Sequence, residues 1–521
     1  MIPWKRRIGG EFGIYLKLPA GCYSDDTQLR LATCRSIRWD GFFDVETFSK
    51  VELPIWLSYS LGAGRGTKKS AEFLKNSQIR WDSNFYKSDY ASYLNGGGNG
   101  AAMRIQPHVW CSPKEKDNKD ILKDVIRNTI ITHGHSRAMV GAAFHALILR
   151  EALISGKIPD SSAWFSIVDK LKELPDIIHL DKELLFYWLP NWEKEKQQSI
   201  TRSIFQSVEE LREDIVIAEK SLTKAKRYED AGETYAQLVK QIGCLQRDMV
   251  GSAPKTALLA SYLSYVYRDR PIEGLIEAVN LFGSDTDTIA TMAGAIMGVK
   301  TKDDPPEEVA DIKYIIEESE RLYEISEGQN TRSHLYPDML YWRPGRTQLD
   351  VIGKYNGKWY VQGLGEAEPM EIVAEKGGKY PSIWQWFRLE FGQTVLVKRR
   401  PKPKTFTKDC LPVKITTKEI KNKDTIVSDQ KYRKDVKEMS KQKELWDKEK
   451  LANIHEEPDF TIDIATYNSI NSGFKEEVVG QMLMKLAEQK DGIEKSIAFA
   501  AIIAKAKQAR MKKGGEIENR G

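Results

Sequence analysis

Two segments rich in alanine and glycine, Ala138–Ala146 and Ala290–Gly298, constrain the fold of this chain more than any other feature. Small side chains let backbones approach closely, so both segments predict central, tightly packed helices. Around them, apolar residues recur at three- and four-residue spacing from residue 1 to about 330, most regularly over Ser136–Leu153, Pro254–Val266 and Thr288–Val299. Alternating strand patterns are few there, so the expected class is mainly α. The chain has 521 residues, more than one core supports, because cores stop growing beyond about 250–300 residues. One large helical domain with appendages is expected.

The helical domain is placed at 1–330. Within it, about 156–250 reads as an insertion or a helical hairpin extending from the core, with its own periodicity (Ile204, Val208, Leu211, Ile215) and a charged run at Lys220–Asp230. At 335–400 the pattern changes. Gln348–Ile352 and Lys358–Val361 flank Tyr355-Asn356-Gly357, and Asn-Gly between strand-like runs is a hairpin signal. A small β-rich module is expected, with Trp342, Trp359, Trp384 and Trp386 forming its core rather than a binding face. A charged linker follows at 401–455, then a helical tail at 456–521, whose apolar run Ile497–Ile503 is expected to dock on another surface.

The net charge of +5 is local in origin, since residues 401–450 hold 15 Lys/Arg against 9 Asp/Glu and the rest of the chain is close to neutral. Such a mixed run reads as a solvated segment ahead of a nucleic-acid arm, which leaves nucleic acid an open partner. No uninterrupted apolar stretch reaches a membrane span and Met1–Arg7 leads into no signal segment, so a cytoplasmic protein without a membrane partner is expected. The five cysteines are scattered and form no C-x-x-C, which reads as reduced thiols rather than disulfides or a zinc site.

Ser24-Asp25-Asp26-Thr27 directly precedes the helical pattern at Gln28–Ala32. Alone it reads as a helix start, with hydroxyl and carboxylate capping exposed N–H groups. Gly283-Ser284-Asp285-Thr286-Asp287-Thr288 opens a second helix with the same chemistry. Two clusters of hard oxygen donors suit magnesium or manganese and could share a two-metal site. Asn95–Arg104 carries Gly96, Gly97, Gly98 and Gly100. Glycines permit positive φ and let N–H groups converge on a phosphate, though this spacing matches neither the P-loop nor the dinucleotide fingerprint. In Thr132-His133-Gly134-His135-Ser136, His133 could bond a sugar or phosphate, while a histidine pair at a helix start also reads as capping.

In this order, Y-S-D-D-T-Q-L at 23–29, G-N-G-A-A-M-R at 98–104, T-H-G-H-S-R-A at 132–138 and G-S-D-T-D-T-I-A at 283–290 resemble the ADP-ribosylglycohydrolase family. G-S-A-P-K-T-A-L at 251–258 and A-G-A-I-M-G at 293–298 add to the resemblance, which covers 17 to about 325. It implies an orthogonal all-helical domain, here with the small β-rich module and helical C-terminal tail attached. It also implies a magnesium-dependent hydrolase cleaving the N- or O-glycosidic bond between ADP-ribose and an acceptor, with one or two Mg2+ ions and Mn2+ as a substitute. Carried over by position, Ser24, Asp25, Asp26, Asp285, Asp287 and Thr288 would ligate metal. Asp26 and Asp287 would orient the attacking water. Gly98, Asn99 and Gly100 would cradle diphosphate and ribose with Met103 nearby, and His133 would contact the nucleotide or distal ribose.

The pattern departs from the family at its start. Members usually open with a helix carrying a G-D-A-x-G-like segment and an acidic residue, whereas here 23 residues precede Ser24 and Glu11 is the only acid among them. Three readings stay open: an upstream start, another subunit or segment in the gap, or a retained fold with altered or lost catalysis. The alternative function is therefore a non-catalytic ADP-ribose or nucleotide-binding or structural subunit of a larger, defence-related assembly, with a protein partner engaged through the C-terminal region.

Overall fold

Gly141 has no room for a side chain, because a Cβ there would collide with the carbonyl carbon of Ala253. That contact sits at the centre of the fold, as the alanine and glycine pattern predicts. A computed structural model of the protein describes residues 3–9, 13–224, 230–301, 309–378, 381–413 and most of 461–503. Glu11, part of the charged run at Lys220–Asp230 and the lysine-rich segment from 414 to 460 lie outside the described residues. The chain is mainly α, with a small sheet and a helical tail. It divides into two compact units, Met1–Lys414 and Ile415–Gly521.

The principal helices of the first unit are α1 (Asp25–Arg35), α2 (Arg65–Phe73), α3 (Asn118–Ile130), α4 (Ser136–Ser155), α5 (Ile200–Lys224), α6 (Ala253–Val266), α7 (Pro271–Asn280), α8 (Thr286–Met297) and α9 (Ile312–Ser326). Helix α4 packs against α3, α5, α6 and α8. By length and composition α4 could cross a membrane, which the sequence reading did not anticipate, but 78% of the apolar window is buried within the protein. It is the core helix of this unit. Pro254 in the first turn of α6 occupies a position where no intrahelical N–H is needed.

The stretch at 156–250 does not extend from the core as expected. Trp164, Trp188, Trp192, Ile204, Val208, Leu211 and Ile215 are all fully buried, and α5 packs on both α4 and α6. Its charges occupy the outer face of an amphipathic helix, so charge density alone misrepresents its burial.

The chain enters α1 through an antiparallel hairpin, β1 (Trp4–Ile8) with β2 (Ile14–Leu18), that the sequence reading missed. Ile8, Leu16 and Leu18 pack with Leu61, Trp384 and Leu396, tying the hairpin to both the helical region and the sheet. That sheet comprises β3 (Ile352–Tyr355), β4 (Lys358–Val361), β5 (Gly365–Lys376), β6 (Ser382–Leu389), β7 (Thr394–Arg399) and β8 (Lys404–Thr405), ordered β7-β6-β5-β4-β3-β8. All pairs are antiparallel except β3 with β8. Asn356 and Gly357 turn β3 into β4 with φ of 48° and 82°, which is the conformation an Asn-Gly hairpin requires. Trp342 and Trp384 are buried, while Trp359 and Trp386 are partly so.

The sheet is joined to the helices by a buried polar network. Arg35 forms a bidentate pair with Glu52, 2.8 Å on each arm, and donates to Gln393 Oε1 at 2.6 Å and Tyr314 Oη at 3.1 Å. Tyr336 donates to Glu52 Oε1 at 2.7 Å, so each charge of the pair has hydrogen-bond partners beyond the other. In the second unit, α10 (Ile462–Asn471) and α11 (Glu476–Ala487) build a small core of Ala465, Met482 and Leu486. Phe499 and Ile503, from the apolar run expected to dock elsewhere, complete this same core.

Candidate metal centre and nucleotide cleft

Ser24 occupies the N-cap position of α1, but its hydroxyl does not cap the helix. It donates instead to Asp26 Oδ2 at 3.0 Å. Asp25 and Asp26, in the first turn, are only 7% and 3% exposed. Asp285 holds the equivalent position before α8, again without capping. Its Oδ2 accepts from Asn99 Nδ2 at 2.7 Å. Asp287 lies on the exposed side of the first turn, where it accepts from the N–H of Thr288 at 3.0 Å. Capping, the plain reading of both motifs, is therefore not what Ser24 or Asp285 does.

The two helix starts meet. Burial raises the carboxyl pKa of Asp25, and the Asp287 charge raises it further, with Arg6 opposing. Burial also lifts Asp26, followed by the charges of Asp25 and Asp287, while Arg30 and Ser24 oppose. Asp285 is raised by burial, held back by Asn99, and pushed up again by Asp287 and Asp26. Burial and the neighbouring Asp287 charge thus raise Asp25, Asp26 and Asp285 together, although these residues come from remote parts of the chain. Asp26 Oδ1 is buried with no hydrogen-bond partner, a costly state for an ionised carboxylate that either protonation or a cation relieves.

Among the described residues, no group of three or more His, Cys, Asp or Glu side chains is placed to hold a metal ion. The donor set here also contains the hydroxyls of Ser24 and Thr288, and magnesium commonly takes only one or two carboxylates and keeps its waters. Hard oxygens beside a buried carboxylate atom without a partner are the donor type that such an ion takes. Ser24, Asp25, Asp26, Asp285, Asp287 and Thr288 are the residues that could hold it.

The glycine loop forms the adjoining wall. Asn99 is 8% exposed; its N–H donates to Gly251 O at 2.8 Å, and Nδ2 also reaches Thr256 Oγ1 at 3.0 Å. The loop glycines are not needed for positive φ, which none of Gly96, Gly97, Gly98 and Gly100 adopts. Gly100 is needed for space, whereas a side chain at Gly98 would meet only ordinary contacts. A Cβ on Gly100 would stand 2.8 Å from Thr67 Oγ1 and 3.1 Å from His133 Cε1, and one on Gly98 would lie 3.9 Å from His133 Nε2. Gly96, Gly97 and Asn99 already donate their N–H groups within the protein.

His133 lies beneath this loop, bonded through Nδ1 to Thr132 Oγ1 at 2.7 Å. Burial, aided by Arg104, lowers its pKa to about 3, so the ring is neutral. His135 does cap α4, accepting from Arg137 N at 3.1 Å. Met103 is 3% exposed and packs in the core, and its carbonyl accepts from Arg30 at 3.1 Å. The sequence reading missed Arg30, Thr256 and Arg6. Arg30 carried a usable signal, standing one helical turn after Asp26.

Residues 3–330 match the ADP-ribosylglycohydrolase family. A solved structure described as an ADP-ribosylglycohydrolase-related protein complex is similar at 21% identity, with 59% of this chain and 83% of that chain covered and a TM-score of 0.36. Nothing among the curated proteins matches. The chain belongs to the ADP-ribosylglycohydrolase family, whose members are generally hydrolytic.

Proposed function

We propose that the protein is a magnesium-dependent hydrolase that cleaves the N- or O-glycosidic bond between ADP-ribose and an acceptor, which is a protein side chain, a nucleic acid or a small molecule. The observation that carries this reading is the meeting of the two acidic helix starts, where Asp26 Oδ1 is buried without a partner and Arg30, one turn after Asp26, bonds Thr291, one turn after Asp287. Magnesium, when bound, would supply positive charge to orient the ribose diol and acidify water. Ser24, Asp25, Asp26, Asp285, Asp287 and Thr288 would hold it.

Departure at the anomeric carbon builds oxocarbenium character, so the site must fix the ribose and aim a water at the opposite face. Asp26 and Asp287 are assigned to orient that water. Gly98, Asn99 and Gly100 are assigned to the diphosphate and ribose. The neutral His133 ring offers a hydrogen bond without adding charge. The test is to incubate the protein and Mg2+ with ADP-ribosylated arginine, serine and nucleic-acid substrates. ADP-ribose release that disappears in Asp287→Ala supports the assignment; absence of release from every substrate rejects it.

A second reading, ADP-ribose binding without turnover, is favoured by one observation. Among the described residues of the hairpin that precedes α1, it is Arg6 that lies near Asp25. Calorimetric binding of ADP-ribose without hydrolysis selects this reading over the first.

A further inference from the structure

We infer that Arg30 is a positioning residue that sets the distance between the two acidic helix starts. Arg30 lies one turn after Asp26 on α1, and Thr291 lies one turn after Asp287 on α8. Nη2 of Arg30 donates to Thr291 Oγ1 at 3.0 Å, so a hydrogen bond crosses between the helices one turn behind the carboxylates. The same Nη2 also donates to Met103 O at 3.1 Å and Nε donates to Gln106 Oε1 at 3.2 Å, and the guanidinium lies 5.9 Å from the centre of the Trp110 ring. A planar fork held along its Nε–Nη2 edge by three acceptors cannot rotate without breaking one of these bonds, unlike a lysine ammonium. Met103 closes the segment that starts at the glycine loop, so Arg30 ties α1, α8 and the end of that loop to one rigid group. It also places a positive charge beside Asp26, which partly offsets the repulsion among the carboxylates.

This inference rests on the metal-centre reading above and adds the element that fixes its dimensions. Residues that orient ligands without touching the ion change metal affinity by about 10- to 100-fold when removed. The experiment is a Mg2+ titration by calorimetry on the full chain, comparing wild type with Arg30→Met, Arg30→Lys and Thr291→Val, with circular dichroism verifying the fold of each. Thr291→Val keeps the volume and every charge, and so guards against a variant that fails to fold. Expected are Mg2+ affinities about tenfold lower in Thr291→Val and Arg30→Lys, and lower again in Arg30→Met. Wild-type affinity in folded Thr291→Val and Arg30→Lys overturns the positioning role alone. Absence of Mg2+ binding by wild type overturns the metal-centre reading, and this inference with it.

Discussion

Asn99 donates a hydrogen bond of 2.7 Å to Asp285, joining the glycine loop to the start of α8. Both groups are largely withdrawn from solvent, and the same amide bonds Thr256. Asn99→Ala leaves the Asp285 carboxylate without its donor. It is expected to lower stability by roughly 1–3 kcal/mol and to raise KM for an ADP-ribosylated substrate, measured by urea denaturation and steady-state kinetics.

Asp26 is expected to oppose stability while serving the site. Its buried carboxylate has an unpaired oxygen and two neighbouring aspartates that raise its pKa. Asp26→Asn removes that charge at nearly constant shape. In EDTA the variant should melt about 2 °C or more above wild type, whereas the rise in Tm that Mg2+ gives wild type should vanish. A lower Tm in EDTA would show that the repulsion is not the dominant cost.

Glu318 controls acid stability. It is 1% exposed and bonded to Arg321 and to His334 Nε2 at 2.9 Å. Burial opposes its charge, but His334 and Arg321 outweigh it and bring the pKa from 4.5 down to about 2. The folded value lies below the unfolded one, so the stabilisation is complete above pH about 4.5 and is lost as pH falls toward 2. Glu318→Gln should cost about 3–5 kcal/mol at pH 7, because it strands Arg321, and should flatten the stability profile between pH 4.5 and 2 in denaturant titrations.

Gly100 tests the packing of loop against histidine. With Thr67 Oγ1 at 2.8 Å and His133 Cε1 at 3.1 Å from an added Cβ, Gly100→Ala must displace one of them. Overpacking of this kind costs about 1–3 kcal/mol. Substrate binding should weaken more than the Mg2+ affinity, since the metal donors lie on other elements; equal losses in both titrations would contradict that separation.

The helices α4, α6 and α8, the Asn356-Gly357 turn and the acidic motifs were legible because each is written in neighbouring residues. Apolar spacing, a turn dipeptide or a carboxylate beside a hydroxyl acts within one turn of chain. The hairpin at the start was missed although Trp4–Ile8 and Ile14–Leu18 flank a Gly9-Gly10 pair, since two five-residue strands make a weak periodic signal beside long helices. The burial of 156–250 was misread for a related reason: a helix with one charged face looks solvated until its partners α4 and α6 are known.

Local chemistry thus determined which side chains could bind a hard cation, and nothing more about them. Only the packing of α1 and α8 decided that Asp26 and Asp287 share one field, that Ser24 serves Asp26 instead of capping, and that Arg30 meets Thr291. Those relationships depend on contacts between residues far apart in the chain, whose distances no spacing along the sequence specifies, because they are set by how the whole buried surface closes around α4.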